Sequence, residues 1–374
     1  MRILLTIHHK LSTDSGAPGS VMRLAEQYRT FGHEVEIASF HDVPNFLPGM
    51  SKHAYFPFHV ANRLGRHSDF DIVDAASGDA WLWGSIRPKN KLPAYVFRSH
   101  GLEHAVHIET LKERDAGNIQ LSWKYPIYWG GLNLRAVATS ARKADHCIFL
   151  NEQEKQYAVE HLGVPAEKCS ISSNGLTDEF LKAATQIPIC DDEFPHIAFV
   201  GSFIERKGTK YLISAMNQLL KKHPELRLGL IGTGKHESDV LSAFQVDVQD
   251  QIRVVPKFQQ AELNQLLGKY QIILIPSIAE GFGKAMLEGM ACGLAPIGTD
   301  GTGLASFIRH GENGLLIPTR DTDAIVKAAE NLINDMEMRM RFRESSRESA
   351  KLYSWTKVAT QRLAVYERLL AARD

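Results

Sequence analysis

The chain has 374 residues, more than one hydrophobic core usually supports, so two domains are expected. Lysine plus arginine and aspartate plus glutamate both number 43, and the formal net charge is +0. This balance removes the long-range attraction on which nucleic-acid binding depends, so no nucleic-acid partner is predicted.

Cysteine usage and hydropathy indicate where the chain works. Cys147, Cys169, Cys190 and Cys292 are far apart in the sequence and form no Cys-x-x-Cys pair. They predict neither a disulfide framework nor a cysteine zinc site, and a reducing cytoplasm fits them best. The apolar run Met1 to Ile7 is too short for the core of a signal peptide, and no run approaches the length of a membrane span. A cytoplasmic protein is predicted.

Short β-rich apolar runs alternate with segments of helical periodicity, which predicts an α/β fold with parallel sheets covered by helices. The first series of predicted strands is 3–7, 34–39, 72–75, 94–98, 146–150 and 168–172, with helices at 20–31 and 134–144. The second series of predicted strands is 196–201, 227–232, 252–256, 272–276, 295–298 and 314–317, with helices at 209–223, 260–270 and 283–291.

A linker separates the two series. Residues 183–195 contain two prolines and a run of acidic residues, which is typical of a connection between domains. We therefore predict a first Rossmann-like domain over 1–185 and a second over 186–355. Doubly wound sheets bind ligands at the carboxyl ends of their strands, so we expect the binding residues of each domain to follow its strands.

Two carboxylates follow the fourth strand of the second series. Glu280 and Glu288 stand eight residues apart, with a Gly-Phe-Gly turn and the start of a predicted helix between them. The backbone N–H groups of a helix N-terminus attract phosphate, and carboxylates accept hydrogen bonds from the hydroxyl groups of a sugar or ribose. The segment is typical of a site that holds a nucleotide sugar.

Two further turns carry phosphate-binding character. Residues 15–20 follow the first strand, and the amides around Gly16 are predicted to approach a phosphate without side-chain obstruction. An ordinary strand-to-helix turn is the alternative. Arg206 and Lys207 precede Gly208 at the start of a helix, where two cations can neutralise a diphosphate. The alternative for them is a solvated surface pair.

The motifs resemble those of the retaining glycosyltransferases of family 4, which have the GT-B fold and carry Glu-x7-Glu in this setting. The likeness rests on an ordered set: Asn174-Gly175-Leu176, Phe199-Val200-Gly201-Ser202, Arg206-Lys207-Gly208, Glu280 to Glu288, and Gly311-Glu312-Asn313-Gly314. It extends over most of the chain. It also implies that the two Rossmann-like domains face each other across a deep cleft, and that the last helix, within 356–374, crosses back onto the first domain.

The resemblance implies roles for individual residues. Glu280, with the amides of Phe282 and Gly283, would hold the transferred sugar, and Glu288 the ribose hydroxyls. His100, at the end of a predicted strand, would face the donor sugar, and it is the first catalytic candidate together with Glu280.

The phosphate-binding positions follow from the same likeness. Gly16, Arg206 and Lys207 would bind the diphosphate of the donor. Relatives often carry arginine where this chain has Ser202, so Arg206 would have to supply that guanidinium.

The implied reaction is transfer of a sugar from a nucleoside-diphosphate sugar to an acceptor hydroxyl, with retention of configuration and without a metal. No cofactor is implied. UDP is favoured over GDP on family frequency alone. The acceptor would be a glycan, a lipid-linked molecule or a small molecule, in the synthesis of cell-surface polysaccharide, lipopolysaccharide or another glycoconjugate.

Three structural roles are considered for the tryptophans of the first domain. Trp81, Trp83, Trp123 and Trp129, near basic residues, could be core, contact an acceptor sugar, or touch a membrane. A peripheral contact with the inner membrane face is therefore a possible addition to the cytoplasmic prediction.

Three alternatives stay open. His100-Gly101-Leu102-Glu103-His104 matches the pattern of inverted zinc peptidases, although that chemistry needs all five residues on one helix. A GT-B epimerase or phosphorylase would use the same fold. A third alternative is a non-catalytic partner subunit with a degenerate site. It stays open because Ser202 and Ala17-Pro18 depart from the residues that the family usually has at these positions.

Overall fold

Two parallel sheets of six strands organise the chain. In this computed structural model the structure describes residues 1–12, 16–66, 69–88, 91, 93–189 and 194–373. All twelve predicted strands are present, which confirms the α/β fold. The strands are β1 (Arg2–Ile7), β2 (Glu34–Ser39), β3 (Ile72–Ala76), β4 (Ala94–Arg98), β5 (His146–Phe149), β6 (Cys169–Ile171), β7 (Ile197–Val200), β8 (Leu228–Ile231), β9 (Ile252–Val255), β10 (Ile272–Ile275), β11 (Ala295–Thr299) and β12 (Leu315–Ile317).

Helices follow most strands and cover the sheets. They are α1 (Gly16–Thr30), α2 (Gly49–Arg66), α3 (Trp81–Ile86), α4 (Glu103–Asp115), α5 (Leu134–Lys143), α6 (Glu152–Leu162), α7 (Asp178–Thr185), α8 (Thr209–Lys222), α9 (Glu237–Leu241), α10 (Leu263–Leu267), α11 (Lys284–Ala291), α12 (Thr322–Asn334), α13 (Met336–Ala350) and α14 (Trp355–Ala371). Among the described helices, none is both long and apolar enough to span a bilayer.

Each sheet is doubly wound. The strand orders are β2-β1-β3-β4-β5-β6 and β12-β11-β10-β7-β8-β9, and every pair is parallel. The central strands are buried along their whole length, because helices on both faces leave no side that faces water. This burial explains why they read as continuous apolar runs.

The chain divides into two compact units. The first contains Met1–Gly175 and Trp355–Asp374, and the second contains Leu176–Ser354. The division lies earlier than the predicted one after residue 185, because α7 packs with α10 and α11 of the second unit. Of the predicted linker, residues 190–193 lie outside the described residues.

The last helix belongs to the first unit. Trp355, Val358 and Tyr366 of α14 pack with Ile3 and Tyr28 in one buried cluster. The hydroxyl of Tyr28 donates a hydrogen bond to that of Tyr366 over 3.0 Å. The core of this unit is therefore built from both ends of its sequence.

Some helix predictions differ from the structure. The helix predicted at 20–31 already begins at Gly16, so Gly16 stands in its first turn and not in a loop before it. The helix predicted at 260–270 is a 3-10 turn, Gln260–Glu262, followed by the short α10. α2 has no counterpart among the predicted helices, and it contains Pro57, a residue that is normally unfavourable inside a helix.

Gly208 fixes the turn after β7. Its φ is 71°, and a Cβ there would stand 1.9 Å from the carbonyl oxygen of Pro276. The turn Glu205–Lys207 can lie against the end of β10 only because residue 208 has no side chain. The amide of Ile278 completes this contact by donating to the carbonyl of Arg206 over 2.9 Å.

We predict that Gly208→Ala lowers the free energy of unfolding by more than about 2 kcal/mol, because the left-handed backbone and the collision with Pro276 add. Gly234→Ala is the matched control, since Gly234 has φ 69° and open space around its Cβ position. It should cost about 1 kcal/mol. Urea unfolding measures both, and equal losses would contradict the role of the close approach.

Candidate active site

In the second unit, Lys207 and Glu280 form a salt bridge at the carboxyl end of the sheet. Their side chains are only 15% and 13% exposed. Ser277 also donates to Glu280, over 3.4 Å. A lysine and a carboxylate, 73 residues apart in the sequence, are thus brought together by β7 and β10, which are neighbours in the sheet.

Arg206 lies beside this pair and is exposed. Its guanidinium donates to the carbonyl oxygen of Ala279 over 3.0 Å, directly before Glu280. The backbone of Arg206 is anchored by Ile278, so both ends of the residue hold the turn against the 277–280 loop. Two cations therefore stand near the same carboxylate.

The Gly-Phe-Gly turn leads into α11, which begins at Lys284, one residue after the predicted start. Gly283 has φ 86°, and a Cβ there would stand 2.2 Å from Leu304, so only glycine fits. The ring of Phe282 is buried against Phe307, with centroids 5.5 Å apart. The amide of Met286 donates to the carbonyl oxygen of Gly283 over 3.0 Å, and the amides that precede it have no acceptor within the helix.

Glu288 is buried one turn into α11, with its side chain 5% exposed. Lys284 forms a salt bridge with it over 2.9 Å, and Gln260 donates to it over 2.7 Å. The ammonium of Lys284 also donates to the amide oxygen of Gln260 over 3.2 Å. A buried carboxylate held by two polar partners is an oriented acceptor for hydroxyl groups.

In the first unit, His100 lies in the turn after β4 and rests on a buried ion pair. Arg98 donates to Nε2 of His100, and its Nε donates to Asp74 over 2.5 Å. Arginine has no acceptor atom, so Nε2 of His100 carries no proton and Nδ1 is the protonated nitrogen. Burial and the charge of Arg98 hold the pKa of His100 well below 6.5.

The zinc-peptidase alternative does not fit this geometry. α4 begins at Glu103, so His100 lies in the preceding turn and not one helical turn from His104 on the same helix. The five residues of the motif therefore do not share a helix.

Gly16 is placed less favourably than predicted. No atom comes within 4 Å of its Cβ position, and the structure imposes no left-handed backbone there. Ser15, the first residue of that motif, lies outside the described residues.

A cavity of about 320 Å³ opens in the first unit beside the end of β3. Its walls include Phe58, Trp81, Tyr128, Arg135 and the pair His8–Asp79. The tryptophans of this unit therefore divide: Trp81 faces the cavity, Trp83 is core, and Trp123 and Trp129 are exposed.

His8 and Asp79 are a second polar centre. Nδ1 of His8 lies 2.7 Å from Asp79, which also accepts from Thr6 over 2.6 Å. Burial lowers the pKa of His8, but the charge and the hydrogen bond of Asp79 outweigh it and raise the pKa above 6.5. The adjacent Ser77 is buried with φ 48°, a strained backbone of the kind found at functional sites.

Two family models match successive parts of the chain. Residues 15–180 match the model of Glycosyltransferase Family 4, and residues 184–349 match that of Glycosyl transferases group 1. Together the two matches span most of the chain. The chain belongs to glycosyltransferase family 4.

Two curated relatives illustrate the range of this family 4 chain. An uncharacterized glycosyltransferase of Methanocaldococcus jannaschii is 30% identical over 171 residues, which are 46% of this chain and 47% of that protein. The match thus spans about half the length of that relative. A phosphatidyl-myo-inositol mannosyltransferase of Mycolicibacterium smegmatis is 23% identical over 392 aligned positions, covering 100% of this chain and 95% of that one.

The fold is shared with solved structures. The Anabaena protein HepE, crystallised in complex with UDP, matches with a TM-score of 0.72 at 17% identity, covering 98% of this chain and 100% of that one. The two Rossmann-like halves with six parallel strands each are those of the GT-B fold.

Four polar residues of this family 4 chain, two in each unit, were not predicted from the sequence. Lys284 stands four residues before Glu288, so helical spacing alone would have suggested it. Gln260, His8 and Asp79 reach their partners only through the tertiary fold, and no local pattern marks them.

We predict that the pKa of His8 is raised and the pKa of His100 is lowered relative to the ordinary value of 6.5. In NMR titrations, His8 should titrate above pH 6.5 and His100 well below it. Asp79→Asn should lower the pKa of His8 below 6.5, because burial remains while the carboxylate charge is lost. Single His→Gln variants assign the signals.

The raised pKa of His8 should also make the free energy of unfolding depend on pH. The folded state raises the pKa of His8, so the stabilisation from this pair is fully present below about pH 6.5, the unfolded value, and is lost as pH rises through the folded value. A native His8 that titrates below 6.5 would refute the ion pair.

Proposed function

We propose that this chain transfers a sugar from a nucleoside-diphosphate sugar to an acceptor hydroxyl, with retention of configuration and without a metal. The Lys207–Glu280 salt bridge beside the N-terminus of α11 carries the proposal. When the donor binds, the ammonium of Lys207 would contact the diphosphate, and the carboxylate of Glu280 would accept hydrogen bonds from the sugar hydroxyls. The synthesis of a cell-surface or other glycan is the proposed setting.

The charges of the site support departure of a nucleoside diphosphate. Lys207 and Arg206, with the amides before α11, would stabilise the negative charge that develops on the leaving group. Fixed cations of this kind supply the stabilisation that a divalent metal supplies elsewhere. In a retaining transfer the departing diphosphate would accept the proton of the attacking hydroxyl.

Glu288 supports a nucleotide and not a simple phosphate ester. Its carboxylate is buried and oriented by Lys284 and Gln260, which suits the paired hydroxyls of a ribose. UDP is preferred to GDP in this proposal because the similar Anabaena structure was crystallised with UDP. His100 has a neutral imidazole with its proton on Nδ1. The resemblance to the family suggests that this N–H donates a hydrogen bond to a hydroxyl of the sugar being transferred.

The cavity of the first unit is proposed as the acceptor site. Its volume of about 320 Å³ lies at the lower end of ligand pockets and suits a ring the size of one sugar. Trp81 and Tyr128 offer aromatic faces for stacking, and His8 and Arg135 offer polar groups. Cytoplasmic location and peripheral membrane contact stay predictions.

The donor is tested by thermal melting with UDP, GDP, ADP and their sugar conjugates, with and without EDTA. UDP should raise the melting temperature, and a ligand at about one hundred times its Kd adds about 2.7 kcal/mol. The shift should survive EDTA. Glu288→Gln should abolish it, whereas Glu312→Gln, an exposed glutamate paired with Arg309, should leave it unchanged.

The outcomes separate the parts of the proposal. A larger shift with GDP would replace UDP, and a shift lost on chelation would refute metal independence. No shift with any nucleotide would favour the non-catalytic partner subunit. NMR of the anomeric proton of the product then decides retention.

The acceptor site is tested with Trp81→Leu, once an accepted substrate is in hand. It should raise the KM for the acceptor about tenfold, the loss of about 1.4 kcal/mol of stacking. The shift caused by UDP should not change. Trp123→Leu is the control, because Trp123 is 75% exposed and does not line the cavity. Equal effects of the two variants would place the acceptor elsewhere.

A further inference from the structure

Two thiols that are far apart in the sequence meet on neighbouring strands. Cys147 of β5 and Cys169 of β6 are direct partners in the parallel register. Paired residues on adjacent strands project from the same face of a sheet, and adjacent strands lie about 4.8 Å apart. Disulfides join Cα atoms that are about 4.4–6.8 Å apart, so this pair has the required spacing.

Both side chains belong to the same face. Cys147 is buried in one core cluster of the first unit, and Cys169 packs against that cluster while half-exposed. Each sulfur lies 3.3 Å from a backbone carbonyl oxygen, that of Ala141 for Cys147 and that of Pro165 for Cys169. Both cysteines are free thiols in this structure.

The two thiols differ in acidity. The neighbouring Cys147 thiol and the positive charge of Lys155 lower the pKa of Cys169. The neighbouring Cys169 thiol and burial raise the pKa of Cys147 well above 9. An acidic, accessible thiol next to a second, protected thiol is the arrangement of a reversible oxidation site.

We propose that Cys147 and Cys169 form a reversible disulfide when the protein meets a hydroperoxide. The site does not depend on the proposed transferase activity. It lies just before the point at which the chain leaves the first unit, after Gly175, where Arg362 of α14 holds the Ser172 carbonyl.

The chemistry has two steps. The Cys169 thiolate attacks one peroxide oxygen, the O–O bond breaks, and Cys169 becomes a sulfenic acid while hydroxide leaves. The Cys147 sulfur then attacks the Cys169 sulfur: the S–S bond forms, the S–O bond breaks, and the Cys147 proton leaves with the hydroxide as water. With hydrogen peroxide, the hydroxide of the first step takes up the proton that the Cys169 thiol lost, so two thiols are oxidised by two electrons in total and the peroxide is reduced to two molecules of water.

The experiment treats the intact protein with hydrogen peroxide, alkylates the remaining thiols and maps tryptic peptides without reductant. Lys155 and Lys168 lie between the two cysteines, so they fall on separate peptides. We expect one linked species that has lost two hydrogen atoms and that dithiothreitol separates. Cys292→Ala, which removes a buried thiol of the second unit, should leave the link intact.

A second variant keeps the proposal testable if the link is hard to isolate. In Cys147→Ala, Cys169 should stop at a sulfenic acid that dimedone traps. Its alkylation by iodoacetamide should also move to higher pH, because the neighbouring Cys147 thiol that lowers the pKa of Cys169 is gone. Oxidation of native Cys169 to sulfinic acid without a link, or a Cys169 that is still alkylated after peroxide, would overturn the proposal.

Discussion

A buried ion pair holds the first unit together around its candidate histidine. Arg98 and Asp74 stand on adjacent strands with side chains 1% and 0% exposed. Removing one member of such a pair leaves an uncompensated charge and typically costs about 3–5 kcal/mol. The pair is satisfied from several directions: Arg98 also donates to the carbonyl of Thr6 and to His100, and Asp74 accepts from Tyr366. Burial and the charge of Arg98 keep His100 neutral, while Asp74, its partner in the ion pair, holds Tyr366 of α14.

The second unit uses steric exclusion where the first uses charge. Gly208 and Gly283 occupy positions at which any Cβ would overlap a neighbour, Pro276 in one case and Leu304 in the other. These two contacts bring the Lys207 turn and the first turn of α11 to the same edge of the sheet. The backbone at these two glycines therefore sets the positions of the candidate side chains Lys207 and Glu280.

The sequence predicted the framework better than its connections. Continuous apolar runs located every strand, because strands buried on both faces leave a strong signal. The predicted helices did not include α2, which contains Pro57. The domain boundary lies at Gly175 and not after residue 185, because α7 packs on the second unit although it precedes the proline-containing segment. Within the site, Glu280 and Glu288 stood out by spacing. Gln260 and Asp79 did not, because their partners are distant in sequence and are met only after folding.

The return of α14 to the first unit constrains the order in which the chain can fold during synthesis. The second unit is continuous from Leu176 to Ser354, so all of its strands are available before α14 leaves the ribosome. The first unit must wait, because its cluster around Ile3 and Tyr28 lacks Trp355 and Tyr366 until then. All six strands of its sheet emerge first, but α14 covers that sheet last, so an apolar face is open to solvent in the interval. A nascent chain of this protein would thus expose a binding surface for chaperones on its earlier half and not on its later one.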